Sequence, residues 1–71
     1  MGDTNFRFGK RLKQLRQKHK LTQEGLAQLS EVDYKYIQRL EGKTPSSPSL
    51  NTLKKLAKAF KINLSKLLNF K

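Results

Sequence analysis

Cysteine is absent from the 71 residues, and so is tryptophan. Without thiols there is no disulfide framework and no thiolate metal site, and the chain suits a reducing compartment. No apolar run approaches the ~20 residues that a membrane span needs, and no signal-peptide core follows Met1. The expected location is the cytoplasm. Acid is scarce as well: five Asp and Glu stand against sixteen Lys and Arg, a net charge of +11. Beyond Glu41 no acid occurs, while Lys43, Lys54, Lys55, Lys58, Lys61, Lys66 and Lys71 follow. A field of that size attracts a polyanion, whether nucleic acid, an acidic membrane surface or an acidic protein. Solubility alone requires less.

Strand periodicity is also missing, and the apolar spacing is helical nearly throughout. Phe8, Leu12 and Leu15 mark a first helix from about Asn5 to His19. Thr22 offers a hydroxyl cap to a short second helix, Gln23 to Ser30, with Leu26 and Ala27 inward. Asp33 caps a third that runs to about Glu41, before the turn-rich stretch GKTPSSPS. Leu50, Leu53, Leu56, Ala57 and Phe60 form the stripe of a fourth helix. Asn63 caps a fifth, with Leu64, Leu67 and Leu68 as its stripe. The prediction is one all-α domain of five short helices over residues 6–70, after a mobile tail at residues 1–5. A chain this short buries only about 60% of its unfolded surface, so it must pack efficiently or gain help from an oligomer.

The third helix carries the functional signal. On a helical wheel, Ile37, Leu40 and Glu41 share one side with Asp33. Lys35, Gln38, Arg39 and Gly42 form a stripe opposite, flanked by Tyr34 and Tyr36. Lys and Arg donate to guanine O6 and N7, and Gln pairs with adenine. Tyrosine hydroxyls suit phosphate oxygens. These are the residue types that a helix needs in a DNA major groove, although any exposed helix can carry Lys, Gln and Arg. What strengthens the reading is the helix in front, joined by a tight bend. Ala27 is small where the two helices approach, and Val32 and Ile37 can close over it: a helix-turn-helix plan.

The stretch LTQEGLAQLSEVDYKYIQRLEGK resembles the helix-turn-helix of the Cro and phage-repressor type, the XRE-like regulators. Leu21, Thr22, Gln23, Glu24, Leu26, Ala27, Val32, Tyr36, Ile37, Glu41 and Gly42 match its pattern. Pro48, Leu50, Leu53, Leu56, Ala57, Ile62, Leu67 and Leu68 fit its last two helices, so the resemblance covers residues 6–69. It implies a five-helix, lambda-repressor-like domain with the third helix in the major groove. By match, Gln23 contacts phosphate and steadies the recognition helix, while Tyr34, Lys35, Gln38 and Arg39 read bases. Tyr36 packs or touches backbone; Thr22, Asp33 and Lys43 complete the expected DNA-binding set. The same register puts phosphate contacts on Lys43, Thr44 and Ser46, in a loop a residue or two longer than is common. Arg16 and Glu41 match a partly buried ion pair with an architectural role. Lys20, Glu31 and Lys61 stand where the family often has glycine, and Gly25 sits inside the second helix.

The function implied is a sequence-specific, double-stranded DNA-binding transcription regulator of repressor or restriction-modification controller type. It would need no cofactor and would act as a homodimer in the cytoplasm, at the nucleoid. The family tends to pair near its C-terminal helices, where Leu68 and Phe70 are either the partner surface or the finish of the core. The alternative function is an antitoxin or accessory module that uses the same fold to bind protein. An enzyme is not expected. His19 falls on the Phe8–Leu12 stripe as a half-buried structural residue, Asp33 and Glu41 have capping and pairing roles, and no nucleophile–base set or metal-ligand spacing remains. The Leu and Lys faces of LNTLKKLAKAFKINLSKLLNF also suit a membrane interface, but Lys61 and Asn63 break that stripe and a core accounts for it.

Overall fold

Helix α1 (Asp3–Lys18) forms around Phe8, Leu12 and Leu15, all buried. In the computed structural model, which describes residues 3–43, 45 and 47–70, it starts earlier than the expected Asn5. Residues 3–5, assigned to the tail, are helical because neither Gly nor Pro interrupts the chain between Asp3 and Phe8. The remainder of that tail, Met1 and Gly2, lies outside the described residues. The helix also stops sooner than expected. Lys20 turns left-handed (φ 58°), its N–H donating to the Gln17 carbonyl at 2.9 Å and that of Leu21 to the Arg16 carbonyl at 2.9 Å. His19 therefore sits in the turn and is exposed rather than half-buried on the stripe, its ring tilted against Phe60 at 5.1 Å.

Side-chain caps start the other helices. Thr22 Oγ1 accepts from Gly25 N–H at 2.9 Å and opens α2 (Gln23–Ser30). Asp33 Oδ2 accepts from Lys35 N–H at 3.1 Å and opens α3 (Tyr34–Leu40). Ser49 Oγ accepts from Thr52 N–H at 3.1 Å and opens α4 (Leu50–Phe60). Asn63 Oδ1 accepts from Lys66 N–H at 2.8 Å and opens α5 (Leu64–Leu67). The Ser49 cap corrects one expectation. Leu50 becomes the first residue of α4, before the helix reaches the core, and is 64% exposed instead of leading the stripe.

Among the described residues, three turns hold a non-glycine residue at positive φ: Lys20, Glu31 (61°) and Lys61 (58°). The family's glycine turns are thus kept without the glycine, at about 1 kcal/mol each. Gly25 has a compensating use. A Cβ there would stand 3.2 Å from Thr22 Oγ1, so glycine leaves the cap uncrowded.

All five helices feed one core, in which Leu12, Leu26, Ile37, Leu40, Leu56, Phe60 and Leu67 lose essentially all contact with solvent. Each such burial contributes roughly 1.5–3 kcal/mol. Ala27, Val32 and Ile37 close the α2–α3 corner as the sequence suggests. Phe70 folds back so that its ring lies 6.2 Å from that of Phe8, half-buried, which gives it the core role; Leu68 stays 42% exposed.

Two contacts fix α1 against the end of α3. At Gly9 the helices cross so closely that a Cβ would overlap the Leu40 carbonyl oxygen and stand 3.5 Å from Glu41 Cα. Two turns further along the same face, Arg16 Nε and Nη2 donate to Glu41 Oε2 and Oε1 at 2.9 and 3.0 Å. Arg16 Nη1 donates to the Leu21 carbonyl at 2.8 Å, tying in the entrance to α2. Both side chains are largely buried, 12% and 4% exposed. The hydrogen bond to Glu41 raises the Arg16 pKa above its ordinary value, against the opposing pull of burial, with the Glu41 charge adding to the rise.

Gly9→Ala is expected to lower stability by about 1–3 kcal/mol, because backbone must yield and the better helix propensity of Ala offsets only part of that. Urea denaturation checks it: a lower midpoint at unchanged m-value is the expected result, and an unmoved midpoint would show that the helices separate freely.

Candidate nucleic-acid interface

Helix α3 presents two unlike faces. Ile37 and Leu40 are fully buried, while Tyr34, Lys35, Gln38 and Arg39 are exposed. A helix of only seven residues is marginal by itself, so the buried face and the Asp33 cap are what hold it in shape. The exposed face is partly pre-set. Gln38 Nε2 donates to Tyr34 Oη at 3.1 Å, an i,i+4 bond across the surface. That bond uses one amide hydrogen of Gln38 and leaves its second N–H, its carbonyl oxygen and the Tyr34 hydroxyl proton available.

The remaining expected residues divide into supports and flanks. Tyr36 is half-buried and packs on the core. Asp33 and Thr22 are exposed, but each commits a side-chain oxygen to a helix cap. Gln23, half-buried at the first position of α2, donates from Nε2 to Glu41 Oε1 at 3.2 Å. Its second amide hydrogen and its carbonyl oxygen are not used by that bond. Lys43 is exposed just past α3. Thr44 and Ser46 fall outside the described residues. The structure thus brings Tyr34, Lys35, Gln38 and Arg39 onto one face, and joins Gln23 to it through Glu41 rather than directly.

Electrostatics favour an anion at this face. Glu41, the acid at the end of α3, is held by three charge-assisted or polar donors from Arg16 and Gln23. Lys35, Arg39 and Lys43 then outnumber the exposed cap Asp33, and the outer side of α3 is left positive. Two features escaped sequence reasoning. The Tyr34–Gln38 bond had a signal that was not read, an i,i+4 pair of polar residues. The Gln23–Glu41 bond carried no local signal, because the partners are 18 residues apart.

The helix-turn-helix family model matches residues 12–67 of this chain. Among solved structures, the restriction-modification controller protein C.AhdI from Aeromonas hydrophila is 38% identical, with a TM-score of 0.82. The match covers 89% of this chain and 94% of that one. Among curated protein sequences, none matches. Among the described residues, no helix is long and apolar enough to cross a membrane. The family model spans well over half of the chain and the controller protein is similar over nearly its whole length, so the chain belongs to the XRE-like helix-turn-helix family of DNA-binding transcriptional regulators.

Proposed function

We propose that the protein is a sequence-specific regulator of the restriction-modification controller or repressor type, reading a double-stranded DNA operator with α3 in the major groove. The observation that carries this reading is the polar, cationic face of α3, made of Tyr34, Lys35, Gln38 and Arg39, on a helix anchored by its other side. A helix that used this face to hold a protein partner, as in an antitoxin or accessory module, would present apolar side chains there. No step of the reading is catalytic, and its place of action is the nucleoid.

Each side chain has a role that its geometry permits. Arg39 donates bidentately to guanine O6 and N7, and Lys35 adds a second donor to the groove. Gln38 offers its second N–H and its carbonyl oxygen to adenine, while Tyr34 turns its free hydroxyl proton to a base edge beside it. Gln23 donates its second amide hydrogen to phosphate at the start of α2, where the helix dipole favours an anion. Thr22, Asp33 and Tyr36 shape this surface, and Lys43 meets the backbone beyond it. One such helix reads too few base pairs to pick a site from a genome. Two copies, paired through the exposed Leu68 near the C-terminus, would read half-sites about 34 Å apart.

Affinity for the operator is expected to fall steeply with salt, since several phosphates are neutralised per subunit. Titrations between roughly 50 and 200 mM salt test this, and a flat plot of log affinity against log salt would end the DNA reading. Arg39→Ala should cost about 1–3 kcal/mol on the preferred site and much less on random duplex. Equal losses on both would move Arg39 to the phosphate backbone. Leu68→Ser should leave the chain folded but monomeric by analytical ultracentrifugation. A variant that still dimerises would place the interface elsewhere.

A further inference from the structure

Much of the positive charge lies away from α3. Lys55, Lys58 and Lys61 rim a hollow of about 450 Å³ between the C-terminal ends of α2 and α4, with Leu29, Glu31 and Ala59 among its other walls. Among the described residues, none that lines the hollow comes from α3 or from the segment that follows it. Three observations set this hollow apart from a merely solvated surface. Leu29 is 56% exposed, an apolar side chain that the core leaves unused. Lys55, Lys58 and Ala59 share one face of α4 at i, i+3 and i+4, so cations and a small apolar surface are presented together. Glu31 and Lys61 both reach the hollow from left-handed backbone, at φ 61° and 58°. Glycine would make both turns at lower cost but would bring no charged side chain to the hollow.

We propose that this hollow docks an acidic segment of a partner protein, which seats one apolar side chain against Leu29 and Ala59 while its carboxylates meet Lys55, Lys58 and Lys61. Charge complementarity sets the sign of the partner: three cations against one carboxylate leave the rim positive. Leu29 sets its class. A phosphodiester chain gains nothing from an exposed leucine, whereas a peptide side chain buries against it. Glu31 points the same way: it repels phosphate and carboxylate alike, but it also accepts a peptide N–H, a donor that a phosphodiester backbone lacks. The hollow and the α3 face have no residue in common, so one molecule can hold DNA and this partner together. The inference stands apart from the DNA reading and does not depend on it.

The test uses the full chain, isotope-labelled for amide NMR, and a defined probe, the blocked peptide acetyl-Glu-Asp-Leu-Asp-Glu-amide, at about 0.15 M salt to screen non-specific attraction. Saturable shifts are expected at Leu29, Ser30, Glu31 and Lys58 to Lys61, and none with the counterpart in which lysine replaces each acid. Leu29→Ser and Lys58→Glu should each weaken the peptide about tenfold. Lys61→Gly keeps the protein folded whatever its role: it should raise the melting temperature by relaxing the turn, yet weaken the peptide. The proposal is overturned if the shifts centre on α3, if none saturate, or if Lys61→Gly binds the peptide unchanged. It is overturned equally if Lys55→Gln lessens the slope of log affinity against log salt on random duplex DNA by about 1, which would make the hollow a phosphate contact.

Discussion

Glu41 is an acid at the C-terminal end of a helix, a place where the helix dipole disfavours negative charge, and its side chain is almost fully buried. Left alone it would cost several kcal/mol and would set a carboxylate beside the face meant for an anion. Arg16 resolves both problems with two parallel hydrogen bonds, the geometry in which a guanidinium and a carboxylate fit best. The same guanidinium holds the Leu21 carbonyl, and Gln23 shares one Glu41 oxygen. One node therefore joins α1, the entrance to α2 and the exit from α3. The short helix α3 owes its orientation to that node as much as to the burial of Ile37 and Leu40.

Gly9 makes the node possible. It lies seven residues before Arg16, two turns earlier on the same side of α1, and lets the backbone of α1 touch the last carbonyl of α3. With any larger residue there the helices would stand further apart, and Arg16 would have to stretch for Glu41. Backbone contact and ion pair thus act as two points of one attachment.

The five helices were legible because their apolar stripes follow one period and because Thr22, Asp33 and Asn63 announce three of the starts. The exposed face of α3 was legible for the same reason, since the stripe that buries Ile37 and Leu40 leaves Lys35, Gln38 and Arg39 outside. The Arg16–Glu41 pair came from the family resemblance, not from spacing. His19 and Leu50 were misplaced because the ends of α1 and α4 depend on a left-handed turn at Lys20 and a cap at Ser49. A stripe continued past the true helix end still looks regular on a wheel. Gly9 passed unnoticed because contact between two backbones leaves no side-chain pattern. Leu29 went unassigned because a leucine beside a buried stripe reads as part of it. Helix ends and backbone crossings are tertiary facts, and periodicity does not encode them.

The Tyr34–Gln38 bond has a thermodynamic side on the proposed DNA reading. A glutamine that starts free gives up rotamer entropy, up to about 1.5–2 kcal/mol, when it is ordered. Here part of that ordering precedes any encounter, so less is lost on association and more of the contact energy is kept as affinity. Pre-ordering also narrows what the face accepts. To accommodate a wrong base Gln38 would have to release Tyr34 first, so the bond that lowers the cost of the correct match raises the cost of an incorrect one.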